Sequence, residues 1–156
     1  MKNNLFAFIL ILVAFAGCKK DEEPTTTTTP VECSSILPNK LSAKVAGQQW
    51  CADQTCFGDL AIVMTINGLN TNSSSLTLEL DDYTVGSYPI NQDRNHMLYT
   101  GIGGFESTDG NPGTLIIQSN DTTANLIKGT FTVTLSSPIS GSVELTEGKF
   151  TIYYTE

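Results

Sequence analysis

Ile127-Lys128-Gly129-Thr130-Phe131-Thr132-Val133-Thr134-Leu135 decides the fold class of this chain. Ile127, Phe131, Val133 and Leu135 share one parity with Gly129, while Lys128, Thr130, Thr132 and Thr134 hold the other. Successive side chains of a strand point to opposite faces, so the stretch has one apolar face and one threonine-rich wet face. Threonine favours an extended chain, whereas a solvated helix would be richer in Ala, Glu and Lys. The alternation recurs in Leu76, Leu78 and Leu80 against Thr77 and Glu79, and in Phe150, Ile152 and Tyr154 against Thr151 and Tyr153. No convincing amphipathic helix interrupts it.

Working outward, strands are predicted at about 41–46, 49–54, 60–67, 75–81, 84–90, 96–102, 114–119, 126–136 and 142–153, the last containing a turn at Glu147-Gly148. Ala46-Gly47-Gln48 supplies a first hairpin turn, and Asn67-Gly68 and Asp109-Gly110 are further turn signals. Pro89 removes a ladder donor, which places its segment at an edge or a strand end. Short strands at this spacing predict a single all-β domain over 40–156, an antiparallel β-sandwich with a small lipocalin-like β-barrel as the alternative. Periodicity alone does not separate the two.

The first residues address the chain. Lys2 precedes an apolar run from Leu5 to Phe15, and small residues lead to Cys18. The run is too short to stay as a membrane anchor and reads as a secretory signal over 1–17. Phe15-Ala16-Gly17-Cys18 resembles a bacterial lipobox, departing from it at Phe15. The resemblance implies cleavage before Cys18, diacylation of its sulfur and acylation of the new amine. Residues 18–39, with Asp21-Glu22-Glu23 and Thr25 to Thr29 between Pro24 and Pro30, cannot build a core and read as a linker. Lys20-Asp21-Glu22-Glu23 resembles the export signal of Bacteroidetes-type surface lipoproteins, which implies an outer-membrane lipid anchor with the domain facing the exterior. The 156-residue chain has 16 Asp and Glu against 8 Lys and Arg, a net charge of −8. That excess disfavours nucleic acid and anionic lipid surfaces as partners.

The domain itself carries a second resemblance. Leu41-Ser42-Ala43-Lys44-Val45-Ala46-Gly47-Gln48-Gln49-Trp50, then Gly86-Ser87-Tyr88, Gly129-Thr130-Phe131 and Gly148-Lys149-Phe150, follow in order. The set resembles a family of small Bacteroidetes-type lipoproteins of uncharacterised function. It implies a β-sandwich-like fold and export, with no catalytic residues to carry over. A looser likeness is to lipocalins, whose first strand holds a glycine and a tryptophan; here Gly47 and Trp50 stand one residue further apart.

With Cys18 assigned to lipid, Cys33, Cys51 and Cys56 remain in an oxidising compartment. One disulfide and one free thiol are expected. Cys51 and Cys56 can close the loop after the second strand, while Cys33 paired with either would pin the linker onto the sheet. The spacing is not that of a zinc finger, and no metal or cofactor is expected. Asn91-x-Asp93-x-Asn95 opens like a calcium loop but lacks its glycine and closing glutamate, so a turn is expected there.

No Gly-x-Ser-x-Gly, His pair or phosphate loop is present, so no enzyme is expected. His96 reads as a strand-end histidine, and Asp81-Asp82 as a turn cap. Binding is the better functional expectation. Trp50, Tyr88, Tyr99 and Phe105 are the candidate ligand-contacting residues, since aromatic faces stack on sugar rings. For Trp50 a core plug at the hairpin is the competing reading. Phe105 sits in a long Gly101–Gly113 loop. Asp121-Thr122-Thr123 resembles a bacterial O-glycosylation acceptor, with Thr122 as the site. The ligand classes are protein or glycan, and a structural envelope role or a small-molecule carrier are the alternatives.

Overall fold

The computed structural model describes residues 33–101 and 103–156. The signal expected over 1–17, the lipidation expected at Cys18 and the expected linker as far as residue 32 lie outside the described residues. The described chain is all-β. Its strands are β1 Lys40–Val45, β2 Gln48–Cys51, β3 Thr55–Leu60, β4 Met64–Leu69, β5 Ser75–Leu80, β6 Gly86–Ile90, β7 Met97–Gly101, β8 Gly103–Glu106, β9 Gly113–Asp121, β10 Leu126–Ser137 and β11 Gly141–Thr155.

The eleven strands form one sheet, and because β10 also pairs with β11 it closes on itself as two facing layers, consistent with the expected sandwich or with its barrel alternative. One layer runs β6-β9-β10-β11-β1-β2 and the other β3-β4-β5-β7-β8. They join at two corners. Tyr154 and Thr155 of β11 pair in parallel with Gly58 and Asp59 of β3, and Ser136 of β10 meets Glu106 of β8. These corners close the sheet and shorten its exposed edges. Pro89 lies on the edge strand β6, where its missing N–H costs no ladder bond.

The parity read from the sequence is the parity of the core. Ile127, Phe131, Val133 and Leu135 are buried, with Leu76, Leu78, Leu80, Phe150, Ile152 and Tyr154. The cluster draws every buried apolar member from Leu41 to Tyr154. The compact unit Val31–Glu156 therefore contains its core and its disulfide, which is what independent folding requires.

Two glycine-phenylalanine motifs lock β10 to β11. Gly129 pairs with Phe150, and Phe131 with Gly148. Each ring lies over the opposing glycine: a Cβ would come within 2.4 Å of Phe150 Cζ at Gly129 and within 2.4 Å of Phe131 Cδ2 at Gly148. Only a residue without a side chain leaves room for the ring.

Four local expectations are corrected. Glu147-Gly148 is not a turn: β11 continues through it because β10 and β1 both keep pairing on either side. Glu147 (φ 50°) is instead a bulge, which moves the buried parity from Leu145 to Gly148 and Phe150. The single strand expected at 60–67 is two strands. Its apolar run hides a tight reversal in which Ala61 N–H donates to Val63 O and Ile62 is left exposed. Asn67-Gly68 lies within β4, not in a turn; a Cβ on Gly68 would meet Ala52, Leu41 and Trp50 of the facing layer. The Gly101–Gly113 stretch is not one long loop, since β8 pairs back onto β7 and buries Phe105. Ala46 and Gly47, both at positive φ, form the first hairpin turn as expected.

The disulfide joins Cys33 to Cys51, and Cys56 is free. This overturns the Cys51–Cys56 pairing. Trp50 points into the core, so Cys51 points out of its layer. Cys56 lies on the other layer, opposite Gly68, packed against the core. The two thiols cannot meet without turning a strand over.

Candidate functional site

The site grows from the turn between β4 and β5. Asn70-Thr71-Asn72-Ser73-Ser74 is a run of turn-forming residues. Asn70 Oδ1 accepts from Asn72 N–H (3.0 Å), Ser74 N–H (3.0 Å) and Ser74 Oγ (2.9 Å). Ser73 takes a positive φ of 61°. Asp53 holds the outside of the turn, accepting from Thr71 N–H at 2.7 Å. Inside it, Trp50 Nε1 donates to Ser74 Oγ at 2.8 Å. The β1–β2 hairpin of one layer is thereby tied to the β4–β5 hairpin of the other.

Where these hairpins meet the end of β7 there is a cleft of about 420 Å³. Gln48, Gln49, Asn70, Asn72, Ser73 and Ser74 line it with amides and hydroxyls, of which Asn70 Oδ1 and Ser74 Oγ are engaged within the turn, and Val45, Trp50, Tyr99 and Gly101 complete the wall. The volume lies within the range of small-ligand pockets. The lining offers both donors and acceptors and no charged side chain.

Of the four candidate contact residues, the fold brings Trp50 and Tyr99 to this cleft. Trp50 is only 4% exposed, so it is the core plug and offers no open face for stacking. Tyr99 is half-buried, with its ring centroid 6.4 Å from that of Phe105. Phe105 is buried and supports Tyr99 from behind. Tyr88 does not line the cleft. It lies on β6, at the other edge of its layer, where its hydroxyl donates to Thr84 O (3.1 Å) and lies 2.7 Å from Thr84 Oγ1. Thr122 is exposed in the turn between β9 and β10, whose N–H groups at Thr123 and Ala124 are capped by Asp121. The amide and serine wall was missed by the search for aromatics. Its signal was the polar run 70–74 between two apolar stretches.

The other polar clusters have structural partners. Asn91 Oδ1 accepts from Asp93 and Arg94 N–H, and buried Asn95 donates to Pro89 O and Asp82 Oδ2. Asp82 takes Arg94 through two 2.6 Å contacts, and hydrogen bonding from that guanidinium holds its carboxyl below the usual range. His96 stands 3.8 Å from Glu79 and 3.9 Å from Glu106 across neighbouring strands. Among the described residues no three His, Cys, Asp or Glu side chains converge to hold a metal. Burial pushes the Cys56 thiol up to about 11, which keeps it a poor nucleophile. Burial likewise raises Tyr154, whose hydroxyl donates to Asn120 Oδ1 at 3.2 Å.

Fold and cleft together define an all-β domain of sandwich or barrel-like form with a polar pocket where its two hairpins meet. Residues 39–152 match the family described as Domain of unknown function (DUF6252), and the chain belongs to that family. No curated protein and no solved structure matches the chain.

Proposed function

We propose that the chain is an outer-membrane-anchored, surface-exposed lipoprotein whose β domain is a non-catalytic binding module for a glycan or a protein. The signal and Cys18 support the anchor, and Lys20-Asp21-Glu22-Glu23 supports the outward address. The cleft carries the binding reading. Its side-chain amides and hydroxyls match the alternating donors and acceptors of a hydroxylated ligand, and Tyr99 adds an apolar face. We favour a glycan end on that chemistry.

Trp50→Ala is the wrong probe of this site, because it would empty the core. Gln48 and Asn72 are exposed cleft residues whose truncation leaves the core intact. A glycan array probed with the Val31–Glu156 unit should yield a saturable ligand, and Gln48→Ala/Asn72→Ala should weaken it about tenfold or more. A ligand held equally by the double variant would move the site away from the cleft. A folded domain that captures nothing would favour a structural envelope role. The intact mass of the native protein tests the anchor separately.

A further inference from the structure

The chain is acidic, yet three of its lysines gather on one face. β1, β10 and β11 lie side by side, and their outward residues include Lys40, Lys128 and Lys149. Thr151 pairs with Lys40 on one side and Lys128 on the other, while Lys149 pairs with Ser42 and Thr130. Lys149 is thus the diagonal neighbour of both other lysines, at backbone separations of roughly 7–8 Å, and Lys40 and Lys128 lie about 10 Å apart across the middle strand. Lys128 and Lys149 are exposed. Among the described residues neither has a carboxylate within salt-bridge distance, and Lys40 donates to the carbonyl of Ser35. The exposed carboxylates nearest the triad are Asp121, diagonal to Lys128 through its pairing with Leu126 and engaged in capping the β9–β10 turn, and Glu144 and Glu147 of β11, which lie at or before the bulge, Glu147 being taken by Lys44 at 2.6 Å. Tyr153, 52% exposed, extends the lysine row on β11, and Ile116, 43% exposed, flanks it opposite Thr130. Basic side chains edged by an aromatic and an aliphatic residue suit the headgroup region of a bilayer.

The disulfide lies on the same face. Cys51 pairs with Ser42 on the same outer surface, and Cys33 is bonded to it. Cys33 is therefore fixed on the surface that carries the lysines. Cys33 follows Cys18 by fifteen residues, a reach of at most about 54 Å when fully extended. A lipid on Cys18 keeps the tethered face within reach of the membrane. We infer that the outer face of β10, β11 and β1 docks on an anionic, phosphate-bearing lipid surface through Lys40, Lys128 and Lys149. The inference rests on the lipid-anchor reading for its orientation. It revises, for this one face, the expectation drawn from net charge: the average over the chain is acidic, but a surface within a Debye length feels the nearest charges first.

Vesicle co-sedimentation of the Val31–Glu156 unit tests it without the anchor. The unit should bind phosphatidylglycerol-rich vesicles, leave phosphatidylcholine vesicles alone and be released by salt. Lys40→Gln/Lys128→Gln/Lys149→Gln should weaken binding on the order of a hundredfold. Lys44→Gln, which removes the same kind of charge outside the triad, should have little effect. Equal binding to both vesicle types, retention by the triple variant, or equal loss in Lys44→Gln overturns the inference. So does loss of binding in an unacylated chain begun at Cys18, because Asp21, Glu22 and Glu23 would then be the triad's occupants. A native mass lacking acyl chains refutes the anchor alone and leaves the vesicle result standing.

Discussion

Phe131 lies flat over Gly148 across the β10–β11 ladder, so close that a single methyl at 148 would stand 2.4 Å from its Cδ2 and Cε2 atoms. The reciprocal pair is Phe150 over Gly129. The antiparallel register places each motif's glycine opposite the other's phenylalanine, which explains why both motifs read Gly-x-Phe. Gly148→Ala is expected to destabilise the fold by about 1–3 kcal/mol through overpacking. Gly129→Ala should cost more, because its Cβ also meets the backbone carbonyl of Ile116 at 2.6 Å. Urea unfolding of the three proteins checks the order.

Trp50 and Ser74 make the second decisive contact. Ser74→Ala would bury an indole N–H without an acceptor, an expected loss of about 1–3 kcal/mol. Trp50 is the chain's one tryptophan, so its emission reports both the unfolding midpoint and the wetting of this site. A variant as stable as the parent, with unshifted emission, would show that the N–H finds another partner.

The cysteines permit a direct chemical check. Non-reducing peptide mapping should recover a Cys33–Cys51 peptide and an unmodified Cys56. Alkylation of Cys56 in the folded protein at pH 8 should be far slower than in denaturant, since burial raises its pKa to about 11 and restricts access. Cys33→Ser should lower stability by up to about 3 kcal/mol, the loop-closure contribution for a span of this length. A Cys51–Cys56 peptide would contradict the strand orientations described above.

Asp82 and Arg94 make stability depend on acid. The Asp82 pKa is depressed in the folded chain, chiefly by its hydrogen bond from Arg94. A depressed carboxylate contributes stability above its unfolded pKa, near 4, and loses it as pH falls through the lower folded value. Asp82→Asn should be less stable than the parent at pH 7, and the difference should shrink below about pH 4. Thermal midpoints across pH 2–7 test this. A constant difference would assign the effect to Asn95 packing and not to charge.

Local pattern carried well wherever burial was one-sided. Along β10 the alternation of Ile127, Phe131, Val133 and Leu135 named the buried face without error, because a strand with one wet side must alternate. It failed where apolar residues serve as a turn. Ile62 looks like core in sequence, yet it sits at the reversal between β3 and β4, where pairing geometry overrides hydrophobicity. It failed again at Glu147, since a positive-φ bulge and a turn leave the same local trace. In the cleft, Trp50 and Tyr99 were legible as aromatics, but the wall at 70–74 reads as ordinary turn chemistry until the facing hairpin is brought against it.

By itself the sequence determined an all-β domain, its inward parity, its first hairpin turn and its edge proline. Each follows from the two-residue period of a strand or from the φ and hydrogen-bond limits of one residue. Only the tertiary structure decided which cysteine bonds to Cys51, which polar turn closes on Trp50, and that Lys40, Lys128 and Lys149 share one face. Those relationships join residues far apart in the chain. They depend on the order in which strands pair, which no local period encodes.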